Sequence, residues 1–378
     1  MPYWRLSTFY LFFFASLGVL VPYWSLYLKS LGFGAIEIGE LTAIIMATKI
    51  VAPNIWGWIA DHSGRRVQII RLATLLALIC FGGVFLGHGY WWIAAVMALF
   101  SFFWNAALPQ FEATTLTLLG EEVHRYSSIR LWGSVGFILA VVALGPVLDR
   151  VGPAAVPVAI ALMLAGLALS SWMMPPEEAG RMAQQEDSIW RVLRQPQVMV
   201  VLAVCFLLQA SHGPYYTFYT IYLEAHEYSR SLIGQLWALG VVAEIGIFLV
   251  MHRLLPRWGV RILLLLSLGL TTLRWLLIAW FVDSLGVMIF AQLLHAASFG
   301  IYHAVAIHLI HSFFTGRHQG RGQALYSSLS FGAGGAVGSL MSGYMWEGAG
   351  AAMTFVVAAL LSAFAFLLTW RYVSLEKS

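Results

Sequence analysis

Charge is what this chain has least of. Only 10% of its 378 residues are Asp, Glu, Lys or Arg, and 60% are hydrophobic. A domain of this length that folds in water carries roughly 25% charged residues. A soluble globule is therefore excluded, and composition leaves a membrane protein. Cysteine is scarce too. Cys80 and Cys205 both fall in apolar runs, so no disulfide framework and no zinc spacing exists. There is no H-E-x-x-H and no G-x-S-x-G, which argues against an enzyme. The formal charge of +4 is scattered through loops, so nucleic acid is not an expected partner. Polar stretches of any length are missing, with one exception at 175–196.

What is present is a series of apolar spans. Twelve are expected, at roughly 6–28, 36–58, 68–87, 90–118, 128–149, 153–174, 198–223, 230–253, 261–281, 285–314, 322–346 and 349–371. Each is long enough to cross a bilayer at about 20 residues per crossing. The first carries no charge and is longer than the apolar core of a secretory signal, so it reads as a retained helix. Pro22, Pro53, Pro109 and Pro214 lie inside spans, where neighbouring helices can re-satisfy the backbone. The expected fold is an all-α membrane protein of two six-helix bundles. Residues 1–174 form the first, 175–196 a cytoplasmic linker and 197–378 the second.

Lys and Arg set the orientation. Fifteen of the 21 fall in loops on the side of the N-terminus, from Arg5 to Lys377. Lys29, Arg150 and Arg230 fall on the other side, and Lys49, Arg130 and Arg274 inside spans. Positive loops stay inside, so both termini are expected in the cytoplasm, in a bacterial inner membrane.

The halves repeat. A shift of 195 carries Ala15-Ser16 onto Ala210-Ser211, Tyr27-Leu28 onto Tyr222-Leu223, Ile38-Gly39 onto Ile233-Gly234, Gly64 onto Gly259 and Arg66 onto Arg261. Parallel repeats of this kind place a solute site near the bilayer midplane, where they meet. Carboxylates and cations inside spans are the candidates for it, since each costs about 2.5–3.5 kcal/mol to insert. Glu112 and Arg130 sit on consecutive spans joined by a short turn, so they can meet. Glu244 lies mid-span, and the same shift relates it to Lys49. The two can pair, with protonation of Glu244 releasing Lys49, or Lys49 can snorkel to an interface.

The loop Gly57 to Arg66, GWIADHSGRR, resembles the G-x-x-x-D-x-x-G-R-R motif of the major facilitator superfamily, at the place where that family has it. The resemblance implies a conformational latch made of Gly57, Asp61, Gly64, Arg65 and Arg66. The second half keeps Gly259 and Arg261 but has Pro256 opposite Asp61. Asn105-Ala, Pro109, Glu112, Arg130 and Gly133 stand as in the lactose-permease-like branch. The stretches RLWGSVGF from Arg130, LLQASH from Leu207, Tyr215-Tyr216 and LGVVAE from Leu239 are similar to the bacterial phenylpropionate permeases. These likenesses imply proton-coupled uptake of a small organic solute, with Glu112 and Arg130 holding it. They imply a proton site of Glu244, Arg274 and His295. The branch's carboxylate three residues beyond that histidine is replaced by Ser298.

Tyr23, Trp24, Tyr215, Tyr216 and Trp237 can stack on a solute ring or simply pack. His303 is expected either as a further solute or proton contact or as a structural hydrogen-bonding residue. Of His295, His303, His308 and His311, only the last two share a face, and no carboxylate joins them, so no metal is expected. No cofactor is expected either. Gly133 and Gly136, and the glycines from Gly332 to Gly343, read as close helix packing. The expected protein is a monomeric carrier whose partners are a solute, protons and the bilayer. An aromatic carboxylate is the first expectation, and a sugar or nucleoside the second. A membrane enzyme or a non-transporting receptor is a less expected class.

Overall fold

The computed structural model describes residues 3–175 and 189–373. The linker residues Glu177, Glu178, Arg181, Glu186 and Asp187 lie outside the described residues. Every regular element described is helical. The α-helices are α1 (Tyr3–Ser30), α2 (Ala35–Ser63), α3 (Arg66–Gly82), α4 (Tyr90–Leu119), α5 (Tyr126–Val151), α6 (Ala155–Trp172), α7 (Trp190–Leu193), α8 (Pro196–Ser211), α9 (Gly213–Ala225), α10 (Arg230–Trp280), α11 (Leu285–Leu293), α12 (Tyr302–Phe313), α13 (Gln319–Ser327), α14 (Gly335–Ala349) and α15 (Ala351–Tyr372).

Among the described residues, eight runs are long and apolar enough to cross a bilayer. Two of them hold two crossings each. The run Tyr90–Val151 turns at Gly120–Arg125, and α10 turns at Gly259, whose φ of 72° ends its helical path. The helix α2 and the stretch from α13 to α14 are as long but more polar. Together these account for six helices on each side of the linker.

The surface has the polarity of a protein in lipid. Trp91, Leu86, Leu169 and Leu249 are exposed, while Thr74, Ser101, Thr114 and Ser171 are buried. Water would penalise that arrangement, and acyl chains do not. Some of these buried hydroxyls pair with hydroxyls of other helices. Thr74 donates to Ser171 at 3.0 Å, and Thr48 to Ser101 at 2.9 Å.

The chain divides into two compact units, Met1–Gln185 with Ser229–Gly234, and Glu186–Tyr228 with Gln235–Ser378. In the first, α1 packs along α5 and α6, α3 along α4 and α6, and α2 along α4. Gly136 allows the α1–α5 approach, because a Cβ there would overlap the Leu11 carbonyl. This unit also holds the first turn of α10. There Asp149 of α5 accepts from the Arg230 N–H at 2.8 Å and the Ser231 N–H at 3.0 Å, and from the Ser231 hydroxyl. A carboxylate on exposed helix N–H groups is a stabilising cap.

In the second unit α8 packs on α15 and α9 on α14. The seventh span is not continuous. Pro214 begins α9 rather than lying inside a helix, and His212 separates α9 from α8. The tenth and eleventh spans each contain a π-helical stretch, Ala296–Ile301 and Ser328–Gly334. Tyr302 and Ser330 hydrogen-bond across them at 2.9 Å.

The repeat is visible in detail. Ser16 donates to the Phe13 carbonyl and accepts from Trp104 Nε1 at 3.2 Å. Ser211, its counterpart, donates to the Leu208 carbonyl and accepts from Trp275 Nε1 at 3.2 Å. The tryptophan comes from a different helix in each half.

Candidate functional site

In the first unit the chemistry gathers where α1, α4 and α5 meet. Glu112 is the eighth residue from the end of α4, and Arg130 the fifth of α5. The turn Gly120–Arg125 folds α5 back, and Arg130 Nε comes within 3.8 Å of Glu112 Oε1. Tyr126, one turn before Arg130, directs its hydroxyl to the same carboxylate oxygen at 3.4 Å. The guanidinium lies over the Phe14 ring at 3.9 Å, with Tyr10 at 5.5 Å. Both carboxylate and guanidinium remain about one-third exposed, 34% and 32%. A planar fork backed by an aromatic face and open on one side can take a carboxylate or two hydroxyls.

Tyr10, Phe14 and Tyr126 carry this arrangement and were not expected from the sequence. A signal was there: Tyr10 and Phe14 are four residues apart, so they share one face of α1. Tyr23 lies elsewhere. It is fully buried and donates to the Val141 carbonyl at 3.0 Å. Trp24 is buried against Phe81 and Tyr27. Lys49 sits half-buried midway along α2. No carboxylate of the first unit pairs with it among the described residues.

The second unit holds a denser cluster around Arg274, which is fully buried. Arg274 Nη1 donates to His295 Nδ1 at 3.0 Å and Ser298 Oγ at 2.8 Å, and Nη2 to Gln292 Oε1 at 3.2 Å. Its face lies on Tyr215 at 4.3 Å and on Trp275 at 4.8 Å. His295 Nε2 faces Glu244 Oε2 at 3.5 Å. So Arg274, His295 and Glu244 do come together, in the order arginine, imidazole, carboxylate. Among the described residues of this unit no carboxylate pairs with Arg274 directly. Ser298 accepts from it with a neutral oxygen instead. Gln292, one turn before His295, also belongs to the cluster and was missed.

Tyr215 donates to Gln292 at 2.9 Å and packs on Trp237 with ring centroids 4.4 Å apart. Trp237 Nε1 donates to Thr220 at 3.1 Å. Tyr216 lies beside His212 at 5.6 Å. His303 continues the α11–α12 face through Phe299, whose ring stacks on both histidines, at 5.5 Å and 5.6 Å. Its Nδ1 pairs with Tyr326 at 3.2 Å. No group of three or more metal-ligating side chains occurs among the described residues.

The loop motif is built as a turn. Gly64 ends α2 in the left-handed region with φ 63°, and Arg65 immediately precedes α3. Asp61 pairs with Arg66 at 2.7 Å. Gly57 lies close to Gln110, 3.4 Å from where a Cβ would stand. The second-half counterparts share the geometry in part. Gly259 also has positive φ, and Arg261 donates to the Trp370 carbonyl at 2.7 Å.

Comparison with known proteins agrees with this architecture. A family model described as the MFS_1 like family matches residues 3–357. The chain is 31% identical to a protein named probable 3-phenylpropionic acid transporter from Escherichia coli (strain K12), over 92% of each. It is 28% identical to a maltose permease of Geobacillus stearothermophilus, over 90% of this chain and 86% of that one. Among solved structures, the nucleoside transporter NupG superposes with a TM-score of 0.85 at 16% identity, covering 98% of this chain and 100% of that one. A bacterial homolog to the human lysosomal transporter Spinster superposes with a TM-score of 0.77 at 14% identity, over 99% and 98%. At these identities the structural neighbours speak for the fold alone.

Proposed function

The chain belongs to the MFS_1 like family of membrane transporters, and on that premise we propose that it takes up a small organic acid together with a proton, by alternating access. One observation carries the choice of cargo. Arg130 presents a guanidinium about one-third exposed, inside an apolar span, with an aromatic ring stacked on its face. A guanidinium pairs with a carboxylate through two parallel bonds, and the rings of Phe14 and Tyr10 favour an aromatic body beside it. A phenylpropanoate has both parts. The relative named as a phenylpropionic acid transporter supports the same reading. A sugar or nucleoside is the second reading. It is favoured by Glu112, which can accept hydroxyls next to Arg130, and by the maltose permease among the relatives.

Glu244 is the proton carrier in this proposal, tuned by Arg274 and His295, and Lys49 is a further proton-coupling residue. Asp61 and the glycines and arginines of its loop act as the latch between conformations. The carrier works as a monomer in a bacterial inner membrane with both termini in the cytoplasm. Tyr215, Tyr216, Trp237 and His303 shape the cargo side of the second unit.

Uptake into proteoliposomes tests this. An acid exterior should drive labelled phenylpropanoate inward above equilibrium. Glu244→Gln should abolish that accumulation and leave solute exchange, which moves no net proton. Uphill uptake persisting in Glu244→Gln would remove the proton assignment. Accumulation of maltose or a nucleoside, but no aromatic acid, would decide for the second reading.

A further inference from the structure

His295 stands between the two charges of the second unit, and its two ring nitrogens face unlike partners. Nδ1 lies 3.0 Å from Arg274 Nη1. A guanidinium has donors only, with no lone pair to offer. Nδ1 must therefore accept, and an accepting nitrogen carries no proton. The remaining ring proton is on Nε2, 3.5 Å from Glu244 Oε2, where it meets an acceptor. Protonating the ring would place an N–H against an N–H, each on a cation.

Arg274 cannot easily move away to permit that. Ser298 and Gln292 accept from it at 2.8 Å and 3.2 Å, and Tyr215 and Trp275 cover its faces. The other titratable groups packed on this side are Tyr215, whose ring centroid is 6.0 Å from the imidazole, and His212 at the α8–α9 junction. Tyr215 is spent on Gln292, and His212 donates from Nδ1 to the Leu208 carbonyl at 2.8 Å. Neither supplies a second acceptor to the ring.

We infer that His295 is a permanently neutral bridge in a single tautomer, which transmits the pull of Arg274 to Glu244 and never itself carries the transported proton. The inference rests on the proton-linked reading of Glu244. It differs from a simple Arg–Glu ion pair, because the cation acts through a polarised imidazole. The same Nε2–H serves both states of Glu244. It donates to a carboxylate oxygen when the site is empty of its proton, and to the carbonyl oxygen of the acid when the site is loaded. Proton arrival and departure then occur at Glu244 alone, without tautomer exchange on the ring. His295 is a positioning residue.

Two measurements decide it. Nitrogen-15 NMR of the full chain in lipid nanodiscs, with His295→Gln as the subtraction partner, reads the tautomer. A neutral ring protonated at Nε2 throughout the pH range of transport is expected. A doubly protonated ring, or one protonated at Nδ1, overturns the inference. In proteoliposomes His295→Gln should keep acid-driven accumulation, because an amide supplies an acceptor and a donor but holds no titrating proton. His295→Phe should lose accumulation and keep exchange. Loss of accumulation in His295→Gln with exchange intact would mean that the imidazole itself carries the proton, and retained accumulation in His295→Phe would mean that no bridge is needed. A wild-type protein indifferent to pH would instead overturn the proton-linked function, while the NMR result would still decide the state of the ring.

Discussion

Gly133 carries no functional group, yet it decides where Arg130 can lie. A Cβ at this position would come within 2.7 Å of both Arg130 Nη1 and the Phe14 ring. From the sequence it reads as a small residue for helix contact. In the structure its missing side chain is the space that the stacked guanidinium occupies. Gly133→Ala should displace the cation–ring stack at a cost of about 1–3 kcal/mol, read as solute affinity weaker by tenfold or more at the upper part of that range. Unchanged affinity in a titration would detach Arg130 from the site. Arg130→Lys is expected to weaken binding by about 1.5–3 kcal/mol, since an ammonium lacks the planar fork that makes two charge-assisted bonds. The same measurement separates the two cargo readings. A carboxylate should suffer more from this change than a polyol that can turn to Glu112.

At the scale of elements, the two halves solve one problem with unequal strain. Gly64 and Gly259 are repeat counterparts, and each ends a helix with positive φ. Gly64, at φ 63° and ψ 18°, is in the left-handed helical region that asparagine also visits. Gly259, at φ 72° and ψ 163°, is in a region that only glycine enters readily. Gly259→Ala should therefore lower stability by about 1–3 kcal/mol, and Gly64→Asn should be close to neutral. Thermal melts of the two variants in the same detergent check the contrast, and equal melting points would refute it. The π-helical stretches Ala296–Ile301 and Ser328–Gly334 are element-scale features that the sequence did not announce. An extra residue in a turn shifts which face the following residues occupy, but in a span apolar all round there is little periodicity in which to read the shift. Their effect is local and chemical. The first holds Ser298, which reaches Arg274, and Gly300, which lies against Ile247 and Glu244. A regular helix there would rotate those residues away.

For the whole molecule, a carrier of this family presents its cargo with a site that exists only in the folded chain. A ligand binding the folded state alone raises the melting point, by an amount equivalent to about 2.7 kcal/mol at a hundred times its dissociation constant. Phenylpropanoate should produce that rise, and Arg130→Lys should reduce it. A screen of aromatic acids, sugars and nucleosides in which only sugars shift the melt would set the second cargo reading above the first. The helix count and the repeat were legible because they follow from hydropathy and from identity at one fixed shift. The pairing of Glu112 with Arg130 was legible because a short turn forces consecutive helices antiparallel. The remainder of each cluster was not, since Tyr10, Phe14, Gln292 and Ser298 are ordinary residues for a membrane span and differ from their neighbours only by where they point.

The sequence by itself determined that this chain lives in a bilayer as two related sets of helices, because too few charges and too many apolar residues leave no other solvent in which it can fold. It also marked Glu112, Arg130, Glu244 and Arg274, since a charge inside an oily span has to be compensated somewhere. Only the tertiary structure decided what compensates each one. Arg130 leans on a carboxylate and an aromatic ring, whereas Arg274 is held by an imidazole, an amide and a hydroxyl. The reason is geometric. Hydrophobicity is a property summed along the chain, but a hydrogen bond depends on two atoms meeting within a few tenths of an ångström, and helices distant in sequence bring them there.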